Sequence, residues 1–285
     1  MRPSPEPAIR LSDVSVRYDE HVALDAVSVE FRSGEVTALS GSNGSGKSTL
    51  LGAIAGTVPL ANGTVAVESP RVAYVVQRSS VPDHLPLTVR QAVQMGRWAH
   101  RGVWGRLTRD DRDITSASIA ALGLDGLERR ALGSLSGGQR QRVFVAQGLA
   151  QRADILLLDE PTIGLDETAN ELITLAIAAE AERGVAVVHA THDPQVIHLA
   201  HRHVQLGAGR IVEATVSRDI HHGGPSAHTP HTAHTPHTAH TPHADEAPRT
   251  GYAPHGGYTP QHGEGAHRNE GGLRPRGYPG RRSRA

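Results

Sequence analysis

The residues best suited to do chemistry form one short run. Gly41, Ser42, Asn43, Gly44, Ser45, Gly46, Lys47 and Ser48 fit the pattern G-x-x-x-x-G-K-S/T, between an apolar strand predicted at 36–40 and a helix predicted at 46–55. Glycines at 41, 44 and 46 remove side chains where backbone N–H groups must curl around phosphate oxygens. The N-terminus of the following helix adds partial positive charge. Lys47 would reach the β- and γ-phosphates of a nucleotide and Ser48 would hold Mg²⁺, with Thr49 counted among the phosphate contacts. The plainer alternative is a glycine-rich turn with a surface lysine. Against it, Lys47 is the only lysine in the chain, every other basic side chain being arginine. Further along, ILLLD at 155–159 reads as a buried parallel strand with an acid at its carboxyl end. Asp159 is placed to orient Mg²⁺ through water, and Glu160 is the candidate base for an attacking water.

LSGGQ at 135–139 follows a helical stretch and opens another helix, so Ser136, Gly137 and Gly138 present free N–H groups, a second anion site with Gln139 beside it. With the elements above, this string resembles the ATP-binding subunit of ABC transporters across nearly all of residues 8–216. The resemblance extends to Tyr18 as the aromatic that stacks on adenine and Gln77 as the glutamine touching Mg²⁺ and water. It also covers Asp166 in GLD, and His192 in ATHD as the γ-phosphate histidine. Ser42 stands where Pro is usual and Gln147 where Arg is frequent; neither removes a catalytic group. The family implies ATP hydrolysis by a homodimer, each LSGGQ closing on the ATP held by the other copy. It also implies a separate transmembrane permease and an external solute-binding protein. Residues 133–166 and the insertion-free body look like the metal-uptake branch, which is similar to the siderophore branch, so an iron-siderophore cargo is the alternative.

The elements that must position these residues read as follows. Strands are predicted at 9–18 and 27–32, as an antiparallel layer, and at 36–40, 63–67, 71–76, 154–159, 185–190, 203–207 and 210–215. Helices are predicted at 46–55, 88–96, 110–122, 137–151, 167–182 and 194–201. Strand–helix alternation in the second half argues for a parallel sheet, and 78–150 for an inserted helical subdomain. The fold class is therefore α/β: a P-loop NTPase core with a parallel sheet, an N-terminal antiparallel β layer and a helical subdomain at about 78–150. Trp98 and Trp104 suit either a docking surface or subdomain packing. His198, His201 and His203 read as a solvated helix end before a metal site, and His189 as the end of a core strand.

The chain has 285 residues with 29 basic and 29 acidic side chains, 19 His and no Cys. Without Cys there are no thiolate metal sites or disulfides, and the neutral balance lacks the basic footprint of a nucleic-acid binder. Lys47 and Asp159 lie 112 positions apart in a chain with one such cassette, against the coiled-coil insertions or paired cassettes of ABC ATPases acting on chromosomes or ribosomes. With no run of ~20 apolar residues and no signal-peptide pattern, a cytoplasmic protein peripheral at the inner face of the membrane is expected. Residues 217–285 contain only Ile220 and Leu273 among Leu, Ile, Val and Phe, against eleven Gly, nine Pro and eleven His. Too little apolar surface is present to offset chain entropy, so a disordered tail is expected. Within it His228, His231, His234, His237, His240 and His243 fall every third residue. Neutral imidazoles at that spacing suit loose, several-site Zn²⁺ binding.

Overall fold

The computed structural model describes residues 7–76, 86–102, 105–162 and 164–216, with backbone alone at 99 and 100. Two sheets carry the fold. The first has order β2-β1-β4, from β1 (Pro7–Tyr18), β2 (His21–Arg32) and β4 (Asn62–Val67), all antiparallel. The second has order β5-β6-β7-β3-β8-β9, from β3 (Val36–Ser40), β5 (Val72–Val75), β6 (Ile155–Asp159), β7 (Ala186–Ala190), β8 (Arg202–Gly207) and β9 (Arg210–Val216). Its first five strands run parallel. β9 is antiparallel to β8, a departure from the parallel expectation. The turn at Ala208–Gly209 is far too short for the crossover that parallel neighbours need.

The second sheet is buried on both faces, and alternation along its strands sorts the side chains. Ile155, Leu157, Val188 and Leu39 enter a core with the antiparallel layer and α1 (Lys47–Ile54). Leu156, Leu158, Val187 and Ala38 enter a second core with α2 (Val89–Met95), α5 (Gly137–Ala150) and α6 (Glu167–Glu182). That two-sided burial explains the near-continuous apolar runs VTALS, ILLLD and AVVHA. β2 starts six residues before its predicted start at 27. Register slips against β1, with Ala26 at φ 48°, hid the alternation of the first half.

Between β5 and β6 the described residues hold helices: α2, a single turn α3 (Trp98–Arg101) that was not expected, α4 (Arg109–Ala121), a 3-10 turn at Leu132–Ser134 and α5. Trp98 opens α3 and is 37% exposed, while Trp104 lies outside the described residues. A buried charge cluster ties these pieces together. Arg97 Nε donates to Asp111 Oδ1 at 2.9 Å, and Arg97 Nη1 donates to the carbonyl of Ala150 at the end of α5 at 2.7 Å. Arg101 Nε donates to Asp111 Oδ2 at 3.0 Å, and the Thr108 backbone N–H donates to the same oxygen at 2.9 Å. Burial alone would raise the pKa of Asp111. Hydrogen bonds from Thr108, Arg97 and Arg101 outweigh it and hold the carboxyl well below the usual range.

Because Asp111 is depressed in the folded state, its stabilisation is present at neutral pH and is lost only as pH falls through that low value. Asp111→Ala would strand Arg97 inside the helical region. It should cost about 3–5 kcal/mol, the typical penalty for removing one partner of a buried pair. Urea unfolding at pH 7 measures this, and a midpoint equal to the parent's would show that the cluster is not a support.

Candidate active site

The strand β3 leads into a loop whose shape is dictated by contact. Gly41 (φ 145°) has Leu206 O 2.3 Å from where a Cβ would stand, and Gly46 (φ 106°) has Ala23 O at 2.7 Å. The loop is thus threaded between β2 and β8. Gly209, in the β8–β9 turn, closes the same junction: at φ 77° its backbone N–H donates to Ser45 O at 3.0 Å. Its carbonyl accepts from Asp25 N at 2.9 Å, and Arg210 pairs with the Asp25 carboxylate. Ala23, Asp25 and Gly209 were missed in the sequence. The G-A-G-R turn at 207–210 was its one local signal.

The loop opens onto a cavity of about 680 Å³ lined by Tyr18, Asn43, Gly44, Lys47, Glu160 and His192, with Gly46, Ser48 and Thr49 completing the phosphate side and His21 and Ala23 at the edge. Four stretches of sequence, at 18–23, 43–49, 160 and 192, therefore meet near the carboxyl ends of parallel strands, where α/β sheets bind ligands. Lys47 is 6% exposed and donates through Nζ to the carbonyls of Gly41 at 2.9 Å and Ser42 at 3.2 Å. The same ammonium stands 3.5 Å from Glu160 Oε1. Glu160 sits at φ 47°, a left-handed conformation uncommon for a side-chain-bearing residue. Its N–H donates to Ala190 O at 3.0 Å, which locks the bend after β6 to β7.

Asp159 is 4% exposed and, among the described residues, its Oδ1 has no hydrogen-bond partner. Burial raises its pKa; a Ser48 hydrogen bond lowers it, Glu160 raises it again and Lys47 lowers it. An unpaired carboxylate oxygen next to a serine hydroxyl is a donor set that fits a hard, oxygen-seeking divalent cation such as Mg²⁺. The negative field is felt at Tyr74, whose phenol is pushed up to about 12 by burial first, then by Asp159 and Tyr18.

Not every predicted residue reaches this cavity. Gly41 and Ser42 shape the loop, and Ser45 is 2% exposed, turned away from the cavity behind it. Ser136 caps α5: Gln139 N donates to Ser136 Oγ at 3.2 Å while Ser136 N donates to Gln139 Oε1 at 3.1 Å. Asp166 caps α6 by accepting from Ala169 N at 2.8 Å. Gly138 has Leu165 Cδ2 3.2 Å from its would-be Cβ, so the start of α5 packs at Gly138 against the Leu165 side chain. Gln77 and the tail histidines from His228 to His243 lie outside the described residues. His201 and His203 are not a solvated helix end, because α7 (Pro194–Leu199) stops short of them. His201 Nδ1 accepts from Val36 N at 3.0 Å, and His203 Nε2 lies 2.7 Å from Ser40 Oγ.

Comparison with known proteins supplies the family. A family model described as ABC transporter covers residues 24–163. The manganese transport system ATP-binding protein MntB of Halalkalibacterium halodurans is 34% identical over 193 residues, 66% of this chain and 77% of that protein. The chain belongs to the ABC transporter family. The zinc transport system ATP-binding protein TroB of Treponema pallidum is 36% identical over 197 residues, 67% of this chain and 74% of that protein. A dimeric bacterial ABC transporter cassette superposes with TM-score 0.67 at 26% identity, over 74% of this chain and all of the cassette. This ABC protein is accordingly an ATPase that binds nucleotide, and such cassettes work as dimers with a transmembrane permease. Among the described residues no helix is long and apolar enough to cross a membrane.

Gly209 tests how far the loop depends on its buttress. A methyl there would sit 2.7 Å from Ala23 O on a strained backbone. Strain of that order shifts equilibria by ~1–3 kcal/mol, so Gly209→Ala should weaken ATP binding roughly tenfold or more with far-ultraviolet circular dichroism unchanged. Titration with a fluorescent nucleotide reads it, and parent-like affinity would disconnect the turn from the loop.

Proposed function

We propose that this chain is the motor of a metal-ion importer, hydrolysing ATP in a homodimer at the inner face of the membrane. It would act beneath a separate permease fed by an external solute-binding protein. The observation that carries the reading is the meeting of Lys47, Ser48, Glu160 and His192 at one cavity, with Asp159 hydrogen-bonded to Ser48. Likeness to the manganese and zinc transport proteins MntB and TroB supports those two ions as cargo. The ATPase does not itself select the ion.

The residues divide the work. The exposed ring of Tyr18 offers adenine a stacking face, and the N–H groups from Asn43 to Thr49 surround the phosphates. Lys47 exchanges its loop carbonyls for β- and γ-phosphate oxygens. Ser48 and Asp159, with Gln77, would hold Mg²⁺, which supplies charge neutralisation across the phosphates. Freed from Lys47, Glu160 takes a proton from the attacking water. His192 faces the same cavity and donates to the γ-phosphate. The second half of each site comes from the other copy: Ser136, Gly137, Gly138 and Gln139 at the positive end of α5, with Asp166 alongside. The domain boundaries proposed are 8–216 for the ATPase and 217–285 for a His-rich tail that collects Zn²⁺ near the permease.

Glu160→Gln should keep ATP binding and lose about 10²–10⁴-fold in turnover, and ATP with Mg²⁺ should convert it from monomer to dimer by light scattering. Adding Ser136→Arg should abolish that dimer while each copy still binds nucleotide. ATP-dependent uptake of radioactive zinc or manganese by cells carrying the parent chain, absent with Lys47→Ala, tests the cargo. Uptake of neither ion, with ATPase activity intact, would overturn the metal assignment.

For the tail, Zn²⁺ should bind the full chain more strongly than a chain ending at Val216. Only neutral imidazole ligates, so the difference should fade as pH drops through ~6.5. Calorimetry at pH 7.5 and pH 5.5 checks both points, and equal binding by the two chains would remove the tail from the reading.

A further inference from the structure

The nucleotide cavity has one polar side chain that the chemistry above leaves without a task. His21 opens β2 and lines the cavity beside Tyr18. The two residues are cross-strand partners at the tip of the β1–β2 hairpin, joined by Asp19 and Glu20. Asp19 sits at φ 51°, the left-handed value that two-residue hairpin turns ask of their first residue. Directly opposed residues share a face of the sheet, with Cβ atoms about 4.5–5.5 Å apart. Imidazole and phenol therefore stand side by side, both of them exposed.

The strand β2 also serves as a ruler. Ala23, two residues further along, lines the same cavity, and its carbonyl is 2.7 Å from the would-be Cβ of Gly46. A strand rises ~3.4 Å per residue, so His21 stands about 7 Å along β2 from that contact, towards the hairpin tip. In a nucleotide the sugar follows the phosphates and the base follows the sugar. With phosphates in the loop and the base on the Tyr18 ring, the sugar must pass the start of β2.

Neither of those other contacts can read the sugar. An aromatic face accepts any base, and the loop N–H groups meet phosphate oxygens. Ala23 has no polar side-chain atom. Among the described residues lining this end of the cavity, side-chain hydrogen bonding falls to His21 and the Tyr18 hydroxyl. A stacked ring holds its hydroxyl in its own plane, away from what lies over its face. In either tautomer an imidazole offers one N–H and one bare nitrogen, and a sugar hydroxyl both donates and accepts.

We propose that His21 is the residue that reads the sugar: its ring pairs with a ribose hydroxyl and makes the site prefer ribonucleotides to their deoxy analogues. The inference rests on the reading of Tyr18 as the stacking face. It adds a specificity-determining residue on β2, at the opposite end of the cavity from Glu160.

Calorimetry on the full chain, without Mg²⁺ so that hydrolysis is stopped, compares ATP, 2′,3′-dideoxy-ATP and GTP. The parent should bind ATP up to about tenfold more tightly than the dideoxy analogue, the value of one hydrogen bond. His21→Phe keeps a ring on the hairpin but no hydrogen-bonding atom. There the sugar preference should largely vanish, while the ratio of ATP to GTP affinity stays that of the parent. Tyr18→Phe should keep the sugar preference, since the stacking face and the imidazole both remain. Equal binding of ATP and the dideoxy analogue by the parent overturns the assignment. So does a preference that survives His21→Phe or is lost in Tyr18→Phe, or a matching change in the ATP-to-GTP ratio, which would make the ring a reader of the base. Inorganic triphosphate binding as tightly as ATP would remove the stacking face itself, and this inference with it.

Discussion

A single buried ammonium holds the functional end of this molecule together. Lys47 is surrounded by two loop carbonyls and the carboxylate of Glu160, with little water to share the charge. Each partner sits where it does for a separate backbone reason. The carbonyls of Gly41 and Ser42 point inward because the glycines let the loop pass between β2 and β8. Glu160 points inward because β6 ends in a left-handed residue tied to Ala190. Lysine suits this place because its ammonium is a compact point charge on a flexible stem, able to change partners without moving the helix it starts.

The same region stores electrostatic tension. Asp159 and Glu160 are adjacent and both nearly buried, with the Lys47 ammonium 3.5 Å from Glu160 and its charge felt at Asp159. Ser48 offsets part of the desolvation of Asp159, yet one oxygen of that carboxylate has no partner among the described residues. An arrangement of this kind favours a ligand that brings positive charge to Asp159 and negative charge to Lys47 together. A nucleotide with its divalent ion does both. The loop can therefore be rigid while its charges remain poised, which is the usual division between scaffold and site.

The helical region repeats the pattern of buried charge for a different end. Arg97 and Asp111 fix α3 and α4 to the last carbonyl of α5, and the first turn of α5 carries Ser136. One end of α5 is thus anchored in the interior while at the other Gly138 packs against the Leu165 side chain. In the dimer we propose, assembly with a second copy would complete what folding alone does not.

Much of this was legible in the sequence because it is local. The run from Gly41 to Ser48 reads as a phosphate loop in its strand–turn–helix setting, and LSGGQ caps a helix by the reach of its own Ser136 and Gln139. Two-sided burial wrote VTALS, ILLLD and AVVHA as apolar runs, so the parallel sheet followed. The tertiary structure alone decided the rest, since it depends on which distant segments touch. Nothing near residue 209 announces that it supports Ser45. The spacing of Arg97 and Asp111 does not reveal that their charges meet in the interior. The histidines at 201 and 203 looked solvated until β3 was found beside them, offering an N–H and a hydroxyl. His189 read as a strand end, which it is. Only packing shows that its ring nitrogen is buried with no partner among the described residues, because hydrogen-bond satisfaction belongs to the surroundings and not to the residue.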